Sequence, residues 1–102
     1  MIEAAETALA FVGGRKRADL DLDRMLLFAV VRAIEIVGEA AAKVSEETRT
    51  SVPDIPWGGI VGMRNRLIHG YFDIDTAIVW KTLSDELPVL LPILRRAVSG
   101  ID

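Results

Sequence analysis

The sequence contains no cysteine and only one histidine, His69, among its 102 residues. Without cysteine, disulfide bonds and thiolate metal sites are excluded. The lack of disulfides suits a reducing compartment, so we expect a cytoplasmic protein. One histidine and scattered carboxylates show no recognisable spacing of metal ligands, and we expect neither a metal nor a cofactor.

Long apolar runs are also missing from the sequence. The most apolar stretches, residues 25–31 and 87–94, are too short or too interrupted by charge and proline to span a membrane. The first ten residues carry Glu3 and Glu6 where a secretory signal has basic residues. The net charge of -3 argues against a protein that coats nucleic acid, although it still allows a local basic cleft.

What is present is a high apolar content in a short chain. Hydrophobic residues make up 51% of the sequence, which excludes intrinsic disorder and fits one packed domain over residues 1–102. A chain of this length leaves much of its surface exposed after folding. The surplus of apolar residues therefore indicates self-association.

Apolar residues spaced by three and four predict helices throughout. A short amphipathic helix is expected over residues 2–12, where Gly13 and Gly14 end it. A long helix is expected over residues 21–48, capped by Asp19 or Asp21. Its apolar arc is wide enough for contacts on two sides, one of them across a dimer. The main apolar face of this helix is predicted to hold Leu22, Met25, Leu26, Ala29, Ala33, Ile36, Val37, Ala40, Ala41 and Val44.

Prolines and glycine delimit the remaining helices. Pro56 is suited to the first position of a third helix over residues 57–68, and Gly70 is suited to its C-cap. Asp73 and Asp75 are the expected caps of the last helix. Pro88 and Pro92 predict that this helix is kinked, or split into two near residues 85–88.

No stretch alternates long enough to predict a strand. We therefore predict an all-α fold, an up-and-down four-helix bundle.

Residues 63–73, with the sequence MRNRLIHGYFD, hold the groups best suited to chemistry. They contain the single histidine, His69, and the single tyrosine, Tyr71, and Arg64 and Arg66 precede them. Histidine is the side chain best suited to transfer protons near neutral pH, and the arginine fork fits phosphate oxygens. Cleavage of an RNA backbone needs proton transfer and a cation that stabilises the charged phosphorane. The segment therefore fits a ribonuclease site.

Helix geometry sets a condition on this site. Arg64 and His69 are five residues apart, which places them about 140° apart on an ideal helix. They converge only if the helix loosens at Gly70 or if two chains share the site. Because each chain has one histidine, separate acid and base histidines require a two-fold dimer.

A structural interpretation of the same residues stands beside the catalytic one. Basic side chains near a helix C-terminus are favoured by the helix dipole without any further role. Tyr71 is either exposed or an anchor for the bundle, and Glu39 is expected to pair with Lys43 at helical spacing. The aromatic residues expected in the core are Trp57, Phe72 and Trp80.

The segment from Arg64 to Tyr71, RNRLIHGY, resembles the R-x4-H-x-Y motif of HepT-like toxins, a branch of the HEPN superfamily. The flanking sequences are similar too: IVGEAA at 36–41, PDIPW at 53–57, Gly62 and Met63 before the motif, IVW at 78–80 and DELP at 85–88. The resemblance covers residues 19–98 in order. Family members commonly begin with a longer first helix than the one that starts at Ile2.

The resemblance implies a HEPN bundle that forms a homodimer with its two motifs facing one another. It implies that Arg64 and His69 are catalytic, that Asn65 and Arg66 support them, and that RNA is cut without metal to leave a cyclic phosphate. It also implies a toxin–antitoxin pair of the type VII kind, in which a small nucleotidyltransferase antitoxin adds AMP to Tyr71. The alternatives are a non-catalytic HEPN partner of a nucleotidyltransferase and a purely structural helical dimer.

Overall fold

The computed structural model describes residues 1–68 and 74–101, except for the side chains of Ile68 and residues 98–101. Every regular element in these ranges is helical, which confirms the predicted all-α class for them. The elements, in chain order, are α1 (Ile2–Val12), α2 (Arg17–Leu22), α3 (Arg24–Ala42), α4 (Glu46–Ser51), α5 (Trp57–Ile68), α6 (Thr76–Lys81), a π-helical turn (Thr82–Glu86) and α7 (Leu87–Ile101).

The long helix predicted over residues 21–48 is shorter at both ends. Asp23 leaves the helical conformation, and its carboxylate accepts the N–H of Leu26 at 3.1 Å, so Asp23 is the N-cap of α3. Near the other end, the Ser45 hydroxyl accepts the N–H of Thr48 at 3.2 Å and begins α4. Aspartate and serine side chains compete with the helix for backbone N–H groups, which explains both breaks.

Helix α3 is the centre of the fold, because both α1 and α5 pack against it. The face that it buries differs from the predicted one: Met25 is 82% exposed and Ile36 is 40% exposed. Val31 and Ile34, which fall off the predicted face, are buried instead. The core residues of α3 are Leu26, Val30, Val31, Ala33, Ile34, Val37 and Ala41.

The last helical unit changes type where the prolines predicted an irregularity. The N–H of Leu87 bonds to the carbonyl of Thr82, five residues earlier, which is the π-helical pattern. Helix α7 starts at Leu87, so Pro88 lies in its first turn, where a missing N–H does no harm. The buried residues Val79, Leu83, Leu87, Leu90, Leu91 and Leu94 line one side of the whole unit.

Helix α5 has the predicted bounds, and Asp75 is the predicted cap of α6. The Asp75 carboxylate accepts the N–H groups of Ala77 at 2.9 Å and Ile78 at 3.4 Å. Trp57 and Trp80 are half-buried against the core. The other predicted cap, Asp73, and the predicted C-cap of α5, Gly70, lie outside the described residues, as does Phe72. Within the described ranges, no helix has the length and apolar content needed to cross a membrane.

We predict that Asp75→Ala lowers the free energy of unfolding by about 1 kcal/mol, because two N–H groups of α6 lose their acceptor. Asp75→Asn keeps a capping oxygen and serves as the control, with stability close to that of the wild type. Urea denaturation followed by circular dichroism measures both variants. Equal stability of the alanine variant and the wild type would contradict the capping role.

Candidate functional site

Arg64 lies in α5 and packs directly on α3. A side chain built on Gly38 of α3 would collide with the Arg64 Cβ, and it would meet Cγ at 2.8 Å and Cδ at 3.0 Å. Only a residue without a Cβ permits this approach of the two helices. The methylenes of Arg64 therefore occupy the place of a side chain at position 38. This contact holds the aliphatic part of the Arg64 side chain in place, and the residue as a whole is half-buried.

The guanidinium group of Arg64 donates hydrogen bonds to Asn65, the next residue in the sequence. The amide oxygen of Asn65 accepts hydrogen bonds from Nε at 3.2 Å and from Nη2 at 2.9 Å. A guanidinium carries five N–H donors, so three remain, and two of them lie on the edge formed by Nη1 and Nη2. Within the described part of the chain, these three have no hydrogen-bond acceptor. A planar edge of this kind can bind two oxygens of one phosphate.

Arg66 lies on a different side of α5 from Arg64, because two residues turn an α-helix by about 200°. It lines a cleft of about 320 Å³ between α5 and α7, together with Glu86, Leu87 and Leu90. The structure thus brings Asn65 to Arg64, whereas Arg66 lines the cleft beside α7.

His69 and Tyr71, the other two residues singled out by the motif, lie outside the described residues. In the sequence, His69 directly follows Ile68, the last residue of α5. Their roles therefore stay predictions.

Glu35 of α3 is a buried charged residue that the sequence pattern did not single out. Its side chain is only 7% exposed, and its carboxylate accepts a hydrogen bond from Nη1 of Arg32 at 3.3 Å. The same Nη1 lies 3.4 Å from Glu39, so Glu39 pairs with Arg32 and not with Lys43 as expected. Glu35 precedes Gly38 by one helical turn. A buried carboxylate thus lies on the stretch of α3 that receives Arg64.

The cleft beside Glu35 has a volume of about 430 Å³ and is lined by Phe28, Val31, Arg32, Glu35 and Ile74. Ile74 is the first described residue after the motif segment. Sequence periodicity could have indicated the burial of Glu35, since Val31 and Gly38 flank it at helical spacing on a packed face.

Metal ligands are not clustered in the described ranges. Among residues 1–68 and 74–101, no three His, Cys, Asp or Glu side chains lie close enough together to hold an ion. The groups that the structure gathers around Arg64 are an amide and the packed surface of α3.

Comparison with known proteins defines the class of this helical chain. Residues 1–97 match the family model described as ribonuclease HepT-like. The chain therefore belongs to the ribonuclease HepT-like family of the HEPN superfamily, as the motif predicted.

Three relatives illustrate the similarity. A protein of Methanocaldococcus jannaschii, provisionally named an RNase, is 35% identical over 88 residues, which cover 86% of this chain and 81% of the relative. A protein of Thermococcus cleftensis, named "Probable ribonuclease HepT", is 40% identical over 72 residues, covering 71% and 66% of the two chains. A protein of Caldanaerobacter subterraneus, also provisionally named an RNase, is 37% identical over 90 residues, covering 88% and 80%. No solved structure matches the chain significantly.

We predict that Gly38→Ala destabilises the protein by about 1–3 kcal/mol, since the new methyl group forces Arg64 or its helix away from α3. The helical preference of alanine, worth up to about 1 kcal/mol, offsets only part of this cost.

Gly62→Ala in α5 is the matched control. A Cβ built on Gly62 meets no described atom within 4 Å. This variant should be as stable as the wild type or more stable by up to about 1 kcal/mol. Denaturant unfolding compares the three proteins, and a Gly38→Ala variant as stable as Gly62→Ala would contradict the close packing at Arg64.

Proposed function

We propose that this protein is the toxin of a toxin–antitoxin pair of the type VII kind and that it cleaves RNA without a metal ion. The observation that carries the proposal is the Arg64 guanidinium. One of its edges is bound by Asn65, and its three other N–H donors have no acceptor among the described residues, in a chain of the ribonuclease HepT-like family. Arg64 and His69 are the proposed catalytic residues, and Asn65 holds the arginine in position.

The proposed reaction is an attack within the RNA backbone. The 2′-oxygen bonds to the adjacent phosphorus while a base takes the 2′-hydroxyl proton. The bond from phosphorus to the 5′-oxygen breaks, and an acid protonates that oxygen. The products are a 2′,3′-cyclic phosphate and a 5′-hydroxyl. Arg64 binds the non-bridging oxygens, whose negative charge grows in the transition state, and His69 transfers protons.

We infer that the active form is a homodimer, because base and acid are two roles and each chain carries one histidine. A two-fold axis brings two copies of His69 and of Arg64 to one cleft. Each protomer is then a single HEPN-like domain over residues 1–102. The four helices of the proposed up-and-down bundle are α1, α3, α5 and the helical segment over residues 76–101. Arg66, on the other side of α5, supports the site indirectly.

We predict that Arg64→Ala lowers the rate of RNA cleavage by about 10²–10³, the typical cost of removing one group that stabilises the developing charge. His69→Ala should lower it by about 10²–10⁴. Arg66→Ala should lose much less, since its side chain faces the cleft with Glu86. The measurement is cleavage of labelled RNA in EDTA, with analysis of the product ends.

Cyclic-phosphate ends from the wild type, but not from the two catalytic variants, are the expected result. Dependence on added metal would contradict the proposed mechanism. Absence of cleavage by the wild type across several RNAs, with Tyr71 shown to be unmodified by mass spectrometry, would favour a non-catalytic partner of a nucleotidyltransferase.

We further propose that a nucleotidyltransferase antitoxin silences the toxin by transferring AMP to Tyr71. The resemblance of the motif supports this role, and Tyr71 is the only tyrosine in the chain. An added AMP group is bulky and anionic, so it would repel the phosphates of the RNA backbone.

We predict that Tyr71→Phe keeps RNA cleavage but is no longer silenced, because the phenolic oxygen that accepts AMP is gone. Co-expression with the nucleotidyltransferase, followed by growth assays and intact mass measurement, checks this outcome. Neutralisation of the phenylalanine variant with a mass gain of one or more AMP groups would refute the role of Tyr71.

A further inference from the structure

The cleft beside Glu35 combines an aromatic ring, a buried carboxylate and apolar walls. We call it the α3 cleft; its lining residues are Phe28, Val31, Arg32, Glu35 and Ile74. The four residues from α3 occupy positions i, i+3, i+4 and i+7, so they project from one side of the helix. Its volume of about 430 Å³ lies in the range of small-ligand sites, which pair apolar walls with a few polar groups.

Glu35 is the lining residue whose burial most needs a partner. A carboxylate has two oxygens with about four acceptor sites, and burial is costly when these sites are unused. The side chain of Glu35 is only 7% exposed. Within residues 1–67 and 74–97, one hydrogen bond reaches it, from Nη1 of Arg32 to Oε2 at 3.3 Å. The carboxylate therefore has the capacity to accept further N–H groups from a ligand in the cleft.

Phe28 provides a flat apolar surface at the mouth of the α3 cleft. The residue is 51% exposed, which is high for a large aromatic side chain. The guanidinium carbon of Arg24 lies 5.6 Å from the centroid of its ring, in a cation–π contact with one face. The ring has a second face for a ligand. Proteins bind unpaired RNA bases by stacking them on aromatic rings and bonding to their edges.

The polar groups of the cleft match one base better than the others. Guanine carries two neighbouring donors, N1–H and the N2 amino group, followed by the acceptor O6. The Glu35 carboxylate can accept from both donors, and Arg32, whose side chain is 61% exposed, can donate to O6. Adenine, cytosine and uracil each present a single donor group on the same edge. The α3 cleft is therefore complementary to guanine.

The α3 cleft lies beside the segment that carries the motif. Glu35 precedes Gly38 by three residues, which is about 4.5 Å along the axis of α3. Gly38 is the position that receives the Cβ of Arg64. Ile74, on the other wall, is the first described residue after the motif segment. A base in the cleft and a phosphate at Arg64 can therefore belong to one strand.

We propose that the α3 cleft binds an unpaired guanine of the RNA substrate, next to the phosphate that Arg64 binds. Phe28 stacks on the base, Glu35 accepts its N1–H and N2–H groups, and Arg32 holds Glu35 and donates to O6. This inference deepens the proposed function and rests on it, because it assigns a base preference to the same ribonuclease site.

The first experiment measures binding without cleavage. Fluorescently labelled 2′-O-methyl oligouridines lack the attacking hydroxyl, and one central position is changed to guanine, adenine, cytosine or hypoxanthine. The wild type should bind the guanine oligomer about tenfold more tightly than the others. Hypoxanthine lacks only the N2 amino group, so its weaker binding reports the second hydrogen bond to Glu35. Free GMP should bind more weakly than the oligomer, because it lacks the neighbouring phosphates.

Two pairs of variants assign the preference to the cleft. Glu35→Gln keeps the shape but replaces one acceptor by a donor, so it should lose the guanine preference and still bind uridine oligomers. Glu86→Gln, in the cleft beside Arg66, is its matched control. Phe28→Ala should weaken binding of all the oligomers by about tenfold, and Phe11→Ala, at an exposed phenylalanine of α1, should not. Circular dichroism and light scattering compare the fold and molar mass of the variants.

The second experiment sequences the ends produced from a mixed RNA. Cuts by the wild type should be enriched at phosphates next to guanosine, and Glu35→Gln should cut without this enrichment.

The outcomes separate the α3 cleft from the ribonuclease function. Equal binding of all the oligomers by the wild type, or an unchanged guanine preference in Glu35→Gln, overturns the cleft assignment even if RNA is cut. A guanine preference that Glu35→Gln removes, in a protein that cuts no RNA, leaves the assignment of the cleft to guanine standing and overturns the ribonuclease. GMP that binds as tightly as the guanine oligomer would overturn RNA as the source of the base and assign the cleft to a free nucleotide.

Discussion

The close approach of α5 to α3 at Gly38 is the contact on which the arrangement of the motif depends. The methylenes of Arg64 fill the space that a side chain at position 38 would take. One residue therefore contributes to packing through its stem and presents a charge at the surface through its head. An arginine whose stem is already held loses less conformational freedom when it binds a ligand.

The hydrogen bonds of Asn65 extend this constraint to the guanidinium itself. By accepting from Nε and Nη2, the amide defines which edge of Arg64 faces outward. Glu35 places a carboxylate on α3, one helical turn from Gly38, and this carboxylate accepts a hydrogen bond from Arg32. The acceptor that binds Arg64 is a neutral amide, so it leaves the positive charge of Arg64 in place in a protein whose net charge is -3.

Local signals in the sequence were enough for several elements. Two prolines bracket the connector before α5, and the bounds of that helix came out as predicted. Asp75 was one of the two predicted caps, together with Asp73, and it caps α6. The motif also identified Arg64 and Asn65, which the structure places in contact. The opposite directions of Arg64 and Arg66 follow from the helical repeat alone.

The errors have a common physical origin in α3. This helix is apolar on two sides, so spacing alone cannot tell which side faces the core. The positions of α1 and α5 decide that Val30 and Ile34 are buried and that Met25 is not. Asp23 and Ser45 lie within the apolar pattern, and each caps the start of a new helix there, although the pattern continues past them. The contact of Gly38 with Arg64 joins two elements, and no local rule predicts it.

The π-helical turn at Thr82–Glu86 has a consequence for the length of the chain. A π turn contains one residue more than the α turn it replaces, so it has the same effect as the insertion of one residue into a regular α-helix. Removal of one residue from this turn would restore a regular helix and preserve the alignment of Val79 with Leu87 and Leu91 on the core. A deletion anywhere else in this helical unit would rotate its apolar side into water. Relatives that differ by a single residue should therefore carry their gap here.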